Sequence, residues 1–173
     1  GEIYGTISEE ICDKTGCGPV PVVAVCCHDT ASAVVSVPST EEDFAYISCG
    51  TWSIVGAETS APRIDDYGYK YNIANEGSIK GHHRILKNVM GTWLLQEIRA
   101  EYRLQGIDYS YTEMETAALS ASPFAYLIDV DDEIFYSPGQ MTERIQQYCL
   151  RRYGSAPSAL GELVRCVNES LAM

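Results

Sequence analysis

Pro21-Val22-Val23-Ala24-Val25-Cys26-Cys27 is an uninterrupted apolar run that ends directly on His28-Asp29-Thr30. A valine-rich run without polar alternation predicts a strand buried on both faces, as found inside the sheet of an α/β domain. Residues 31–37 carry helical potential until Pro38 stops them. Open α/β sheets bind ligands at the carboxyl ends of their strands, so this strand-to-helix junction is the first candidate site. Asp29 or Thr30 falls in the N-cap position of the helix, and Asp there is an ordinary cap. Its company supplies a second reading. A carboxylate fixed beside a row of helix N–H groups could accept a proton from a hydroxyl attacking phosphorus.

Upstream, Ser8 caps a short helix that Gly16-Cys17-Gly18-Pro19 breaks. Downstream, residues 39–43 form a polar turn, 44–49 a strand and 52–58 its hairpin partner across Gly50-Thr51, with a further strand over 69–74. Asn75-Glu76-Gly77-Ser78 has turn chemistry. The most extended helical pattern covers 83–102, where Ile85, Val89 and Trp93 share one spacing and Met90, Leu94 and Ile98 another. Asn88, Thr92 and Gln96 recur at the same interval as a polar stripe, which suits a solvated face or a row of ligand contacts. Helices are expected over 112–120, 140–153 and 158–171, the first with a capping box from Thr112 to Glu115. Residues 125–129 read as a short strand or extended segment. The class is mixed α/β.

Of 173 residues, 46% are hydrophobic and 21% charged, the proportions of a folded soluble domain rather than a disordered chain. Twenty-four acidic and 12 basic residues give a formal charge of −12, which disfavours nucleic acid and anionic membranes as partners. The basic residues are scattered, with one mild cluster from Lys80 to Lys87. If a chain this acidic handles a nucleotide, backbone N–H groups and a divalent cation must hold the phosphates. The Gly50-Thr51 turn answers that need, since a glycine admits a close phosphate and a threonine adds a hydroxyl. The seven cysteines have neither metal-ligand nor disulfide-scaffold spacing and read as reduced, mostly buried thiols of a cytoplasmic protein. No apolar run reaches the roughly 20 residues that cross a bilayer, and the first residues lack a secretion signal.

Four motifs occur in order: residues 28–34, 48–56, 75–77 and 86–97. Together with Gly1-Glu2-Ile3-Tyr4-Gly5 and Thr15-Gly16, they resemble the FGGY family of carbohydrate kinases, most densely over residues 22–97. The resemblance implies a partial ribonuclease-H-like (actin-like ATPase) fold of two domains with the active site between them. Residues 1–38 would end the first domain, and 39–173 would begin the second. It implies ATP and Mg²⁺ as cofactors and a ketose as substrate, L-rhamnulose by the Asn75-Glu76-Gly77 and 86–97 motifs, with L-fuculose or xylulose as alternatives. Asp29 would be the catalytic proton acceptor. His28, Asp29, Thr30 and Asn88 would contact the sugar, and Gly50, Thr51 and Gln96 would contact ATP. No residue is assigned as a direct metal ligand.

The sequence departs from the family pattern at Cys49 (usually Ser), Ser78 (usually Gly) and Thr92 (usually Leu). At Ser78 the loss of easy positive φ is expected to reshape the turn. A phosphate loop and a glycine-rich adenosine motif are not found in these residues. A fragment inactive on its own and prone to homo-association is therefore expected. Against the kinase stands a non-catalytic α/β module using its acidic, tyrosine-rich surface to bind partners.

Overall fold

The computed structural model describes residues 1–26, 28–41 and 44–173, apart from the side chain of Lys80. Cys27, from the valine-rich run, and Glu42 and Asp43, from the polar turn, lie outside the described residues. The chain divides into two units, Gly1–Tyr46 with Gly56–Leu86 and Ile47–Val55 with Lys87–Met173.

The first unit opens with β1 (Ile3–Thr6), α1 (Glu9–Thr15), β2 (Pro21–Val23) and α2 (Asp29–Val35). Gly16 ends α1 in the left-handed region at φ +72°, and its N–H returns to the Cys12 carbonyl at 2.8 Å. β1 and β2 form an antiparallel pair with Ile3 opposite Val23 and Thr6 opposite Pro21. This corrects the expectation of a strand buried on both faces. The regular strand stops at Val23, and all its residues are exposed. Among the described residues its pairing is with β1 alone, in a two-stranded sheet, and the strand Pro21–Val23 is left open to solvent.

A four-stranded sheet is built from β3 (Ala45–Cys49), β4 (Trp52–Thr59), β5 (Ala74–Gly77) and β6 (His83–Met90), in the order β3-β4-β6-β5. The expected hairpin of β3 and β4 is present. The expected strand over 69–74 is not: Asp66–Lys70 forms the short helix α3, because Asp65 Oδ1 accepts from Gly68 N at 2.7 Å and caps it. That cap outweighs the β-propensity of the tyrosines. Asn75-Glu76-Gly77 is strand rather than turn, running antiparallel to β6 with Ala74 opposite Leu86 and Gly77 opposite His83. Asn75 also clamps the preceding loop, accepting from Arg63 N at 2.7 Å and donating to Arg63 O at 2.9 Å. Ser78 has φ −118°, extended backbone that any residue adopts, so the expected distortion there does not arise. Its hydroxyl donates instead to Glu58 Oε1.

Residues 83–90 are strand where a helix was expected. A spacing of four is also a multiple of two, so Ile85 and Val89 satisfy a strand as well as a helix. Burial decides the matter, with Arg84, Leu86 and Met90 turned inward at alternate positions. Helix α4 begins only at Trp93 and runs to Leu104.

In the second unit, α4 is followed by α5 (Tyr111–Ser120), α6 (Met141–Tyr153) and α7 (Leu160–Ala172). Leu94, Ile98, Phe135, Met141, Ile145 and Leu163 are completely buried in their common core. Two carboxylates of α4 cap α6: Glu97 accepts from Gly139 N at 2.7 Å, and Glu101 from Met141 N and from Thr142 N. Residues 125–129 form no strand and pair with none among the described residues. Side chains take over their backbone bonding: Leu127 N donates to Tyr153 Oη at 3.2 Å, Ile128 N to Ser170 Oγ at 2.9 Å and Asp129 N to Tyr148 Oη at 3.2 Å.

Of the described cysteines, Cys149 and Cys166 are buried, Cys12, Cys17 and Cys26 half-buried and Cys49 exposed, fewer buried thiols than expected. Contact with Cys149, added to burial, pushes the Cys166 thiol up and keeps it protonated.

α5 and α7 pack backbone to backbone at Gly161. A Cβ there would stand 2.2 Å from the Ala117 carbonyl oxygen. The neighbour is helical main chain and cannot swing aside, so Gly161→Ala must part the two helices. We expect a loss of about 1–3 kcal/mol, read from urea unfolding midpoints.

The capping box of α5 lies two residues earlier than expected, on Ser110 and Glu113 rather than Thr112 and Glu115. Ser110 N donates to Glu113 Oε2 at 2.7 Å, and Glu113 N donates to Ser110 Oγ at 3.2 Å. These bonds hold the Glu113 carboxyl below its ordinary range, and the N–H groups of Ser158 and Ala159 do the same for Glu162. Asp108 is lowered by its bond to Arg103 and by the charges of Arg103 and Arg99. A carboxyl whose folded pKa is depressed adds stability above its unfolded pKa, and that stability is lost as pH falls through the folded value. The urea midpoint should therefore be flat from pH 7 to about 5 and decline below about 4. Asp108→Asn should shrink that decline.

Candidate functional site

The expected site residues divide between the two units. His28, Asp29 and Thr30 belong to the first, and Gly50, Thr51, Asn88 and Gln96 to the second.

At the start of α2 the N-cap is His28, in extended backbone, and Asp29 is the first helical residue, one position later than expected. Asp29 Oδ1 accepts from Thr30 N at 2.6 Å, and His28 Nδ1 lies 3.7 Å from the same oxygen. The backbone bond fixes the carboxylate's orientation without enclosing it, since the Asp29 side chain is 97% exposed. It is therefore not walled into a core and stays open to solvent. α2 is anchored beneath by Ala31 and Val34, both buried, and by Ser32 Oγ, which donates to Cys26 O at 3.0 Å.

In the second unit the tip of the β3–β4 hairpin is bonded to the start of α4. The Gly50 carbonyl accepts from Thr92 N at 3.0 Å and Thr92 Oγ1 at 3.0 Å, and the Thr51 carbonyl accepts from Gly91 N at 3.2 Å and Trp93 N at 3.1 Å. Gln96, one turn further along α4, donates through Nε2 to Thr51 Oγ1 at 3.3 Å and to Thr92 Oγ1 at 3.4 Å. Gly50, Thr51 and Gln96, up to 46 positions apart in the chain, thus form one polar cluster at the positive end of a helix dipole. No acidic residue occupies the first turn of α4.

Gly91 makes this approach possible, and its role was missed from sequence. A Cβ on it would lie 2.4 Å from Gly50 O and 2.8 Å from Ser53 N. The available signal was a glycine inside a supposed helix, where it weakens the helix by about 1 kcal/mol and so asks for another reason. Gly50 is crowded on its own account, because a Cβ there would meet Trp52 O at 3.2 Å.

The polar stripe of Asn88, Thr92 and Gln96 is corrected. Asn88 lies in β6, ahead of the helix, Thr92 is the N-cap of α4 and only Gln96 lies within it. By strand alternation Asn88 shares the face that buries Leu86 and Met90, yet it is exposed. A polar side chain open in a row of buried ones is available to a ligand. Among the described residues, no group of three His, Cys, Asp or Glu side chains is placed to hold a metal ion. No helix among them is long and apolar enough to cross a membrane.

Residues 45–173 match the profile of the FGGY family of carbohydrate kinases, C-terminal domain. The chain is 44% identical over all its 173 residues to rhamnulokinase from Bacteroides thetaiotaomicron, covering 35% of that protein. It is 42% identical over 154 residues to rhamnulokinase from Mannheimia succiniciproducens, which is 89% of this chain and 31% of the relative. Over all 173 residues it is 36% identical to rhamnulokinase from Ligilactobacillus salivarius, covering 35% of it. The chain thus spans about a third of the length of the curated relatives it matches.

Proposed function

The chain belongs to the FGGY family of carbohydrate kinases, with the ribonuclease-H-like fold of that family's C-terminal domain, and from that premise we propose that its full-length protein transfers the γ-phosphoryl group of ATP to L-rhamnulose, giving ADP and L-rhamnulose 1-phosphate. The observation that carries this reading is the bonded cluster of Gly50, Thr51, Thr92 and Gln96, which joins the expected nucleotide residues at the N-terminus of α4. Residues 1–38 would then be the end of an N-terminal domain, and 39–173 part of the C-terminal one. The cytoplasm is the compartment this metabolism implies.

In this mechanism a ketose hydroxyl attacks the γ-phosphorus while its proton passes to the Asp29 carboxylate. The bond from phosphorus to the bridging oxygen breaks, and ADP leaves with that electron pair. His28 and Thr30 flank Asp29 and orient the sugar, and Asn88 supplies a further polar contact. Gly50, Thr51 and Gln96 hold the nucleotide. Mg²⁺ would enter with the nucleotide rather than on a side chain assigned here, and would neutralise part of the phosphate charge. That suits a chain of net charge −12, whose own side chains supply little positive charge.

The test is ADP release by the full-length protein on a panel of L-rhamnulose, L-fuculose and D-xylulose, each with ATP and Mg²⁺. The reading expects L-rhamnulose to give the highest kcat/KM. Preference for another ketose would replace the substrate and keep the reaction. No sugar-dependent ADP release from any of the three would remove the kinase reading.

A further inference from the structure

Resting on the reading of Thr51 and Gln96 as nucleotide contacts, we propose that Thr92 is a positioning residue that sets the direction of the side-chain hydrogen bonds in this cluster. Thr51 then meets a phosphate as a donor, and Gln96 meets the nucleoside as an acceptor.

The argument is one of proton inventory. A threonine hydroxyl has a single proton to give. Thr92 Oγ1 donates its proton to the Gly50 carbonyl at 3.0 Å, and that oxygen is an acceptor with nothing to return. Toward Gln96, Thr92 can therefore only accept. The side of the carboxamide that faces it must be the nitrogen, 3.4 Å away. This removes the usual ambiguity between the two ends of a glutamine amide.

The same Nε2 reaches Thr51 Oγ1 at 3.3 Å. Having no acceptor capacity, it makes Thr51 the accepting partner as well. Two groups then remain uncommitted among the described residues: the Thr51 hydroxyl proton and the Gln96 Oε1. The first suits a phosphate oxygen. The second suits a donor such as a ribose hydroxyl or the exocyclic amine of adenine. Both amide bonds sit at the long end of the hydrogen-bonding range, so their direction matters here more than their strength. Thr92 is itself held from below, because its N–H is bound to Gly50 O and its carbonyl to Gln96 N, each at 3.0 Å.

Without the Thr92 hydroxyl, nothing in the cluster prefers one end of the Gln96 amide. A half-turn would put Oε1 against Thr51, which would turn its proton inward to meet it. A nucleotide would then find a threonine without a free proton and an amide offering N–H groups where it needs an acceptor.

Three forms of the full-length protein decide this: wild type, Thr92→Val, which keeps the shape, and Thr92→Ser, which keeps the hydroxyl. ADP with Mg²⁺ is titrated by calorimetry, and exchange of the Gln96 side-chain amide protons is followed by NMR without ligand. Thr92→Val should raise the Kd for ADP about five- to tenfold and speed amide exchange, while Thr92→Ser stays within about twofold of wild type. If the wild type binds ADP and Thr92→Val matches it in both readouts, the inference is wrong and the nucleotide reading survives. If no form binds ADP, the nucleotide reading falls and takes the ligand half of the inference with it, even where exchange still responds to Thr92→Val.

Discussion

Asp29→Asn in the full-length protein is expected to lower kcat for ketose phosphorylation by about three orders of magnitude, within the range a positioned general base contributes. That is about 4 kcal/mol of transition-state stabilisation. The substitution is chosen because it preserves everything except proton acceptance. Asn keeps an Oδ1 that can take the Thr30 N–H, so the start of α2 should hold. Loss of the negative charge beside a helix N-terminus costs only about 0.3–1 kcal/mol at an exposed position, and the Asp29 side chain is 97% exposed. ADP affinity, measured by calorimetry, should therefore stay near wild type while turnover collapses. A variant with undiminished kcat would mean that the base lies elsewhere, and a protein that binds partners without catalysis would be indifferent to the change. A variant that loses ADP binding together with turnover would point to a folding defect instead.

How much of this was legible in the sequence depends on which force fixes each element. The hairpin of β3 and β4 and the helices α5, α6 and α7 were readable because local signals agree there: alternation across a glycine turn, and apolar faces between caps. Residues 83–90 were misread because Ile85 and Val89 sit four apart, a spacing that strand and helix share. What separates the two is the inward turn of Arg84, Leu86 and Met90. An arginine among the buried residues is invisible to a hydrophobic count, since its burial depends on Glu76 in another strand. The 66–70 helix was missed for a similar reason, with one capping carboxylate, Asp65, deciding against several tyrosines. For the proposed site, motif order is what singled out the candidates Asp29, Thr51 and Gln96. The contact between Gln96 and Thr51 was not legible, because it depends on the absence of a side chain at Gly91.

Glu76→Ala is expected to destabilise the fold by about 2–3 kcal/mol, whereas Arg84→Met should leave stability unchanged or raise it. Arg84 is 1% exposed and donates through Nη2 to Glu76 Oε2 across the β5–β6 pair. Its Nε and Nη1, and the Tyr46 hydroxyl beside the guanidinium, are buried without a well-aligned hydrogen bond among the described residues. Burial raises the Tyr46 pKa, while the nearby guanidinium pulls it partly back. Removing Glu76 strands a buried cation, which typically costs about 3–5 kcal/mol. The Glu76 carboxylate is 38% exposed, so water reaches that end of the pair and trims the loss. Replacing Arg84 instead removes the charge that needed compensation. Methionine fills a similar volume with an unbranched, adaptable chain, and Glu76 can turn to solvent. The asymmetry is the test: urea midpoints should fall for Glu76→Ala, hold for Arg84→Met, and hold for the double substitution. Equal losses from both single variants would show that the ion pair itself stabilises the sheet, contrary to this account of a cation tolerated in the core only because Glu76 faces it.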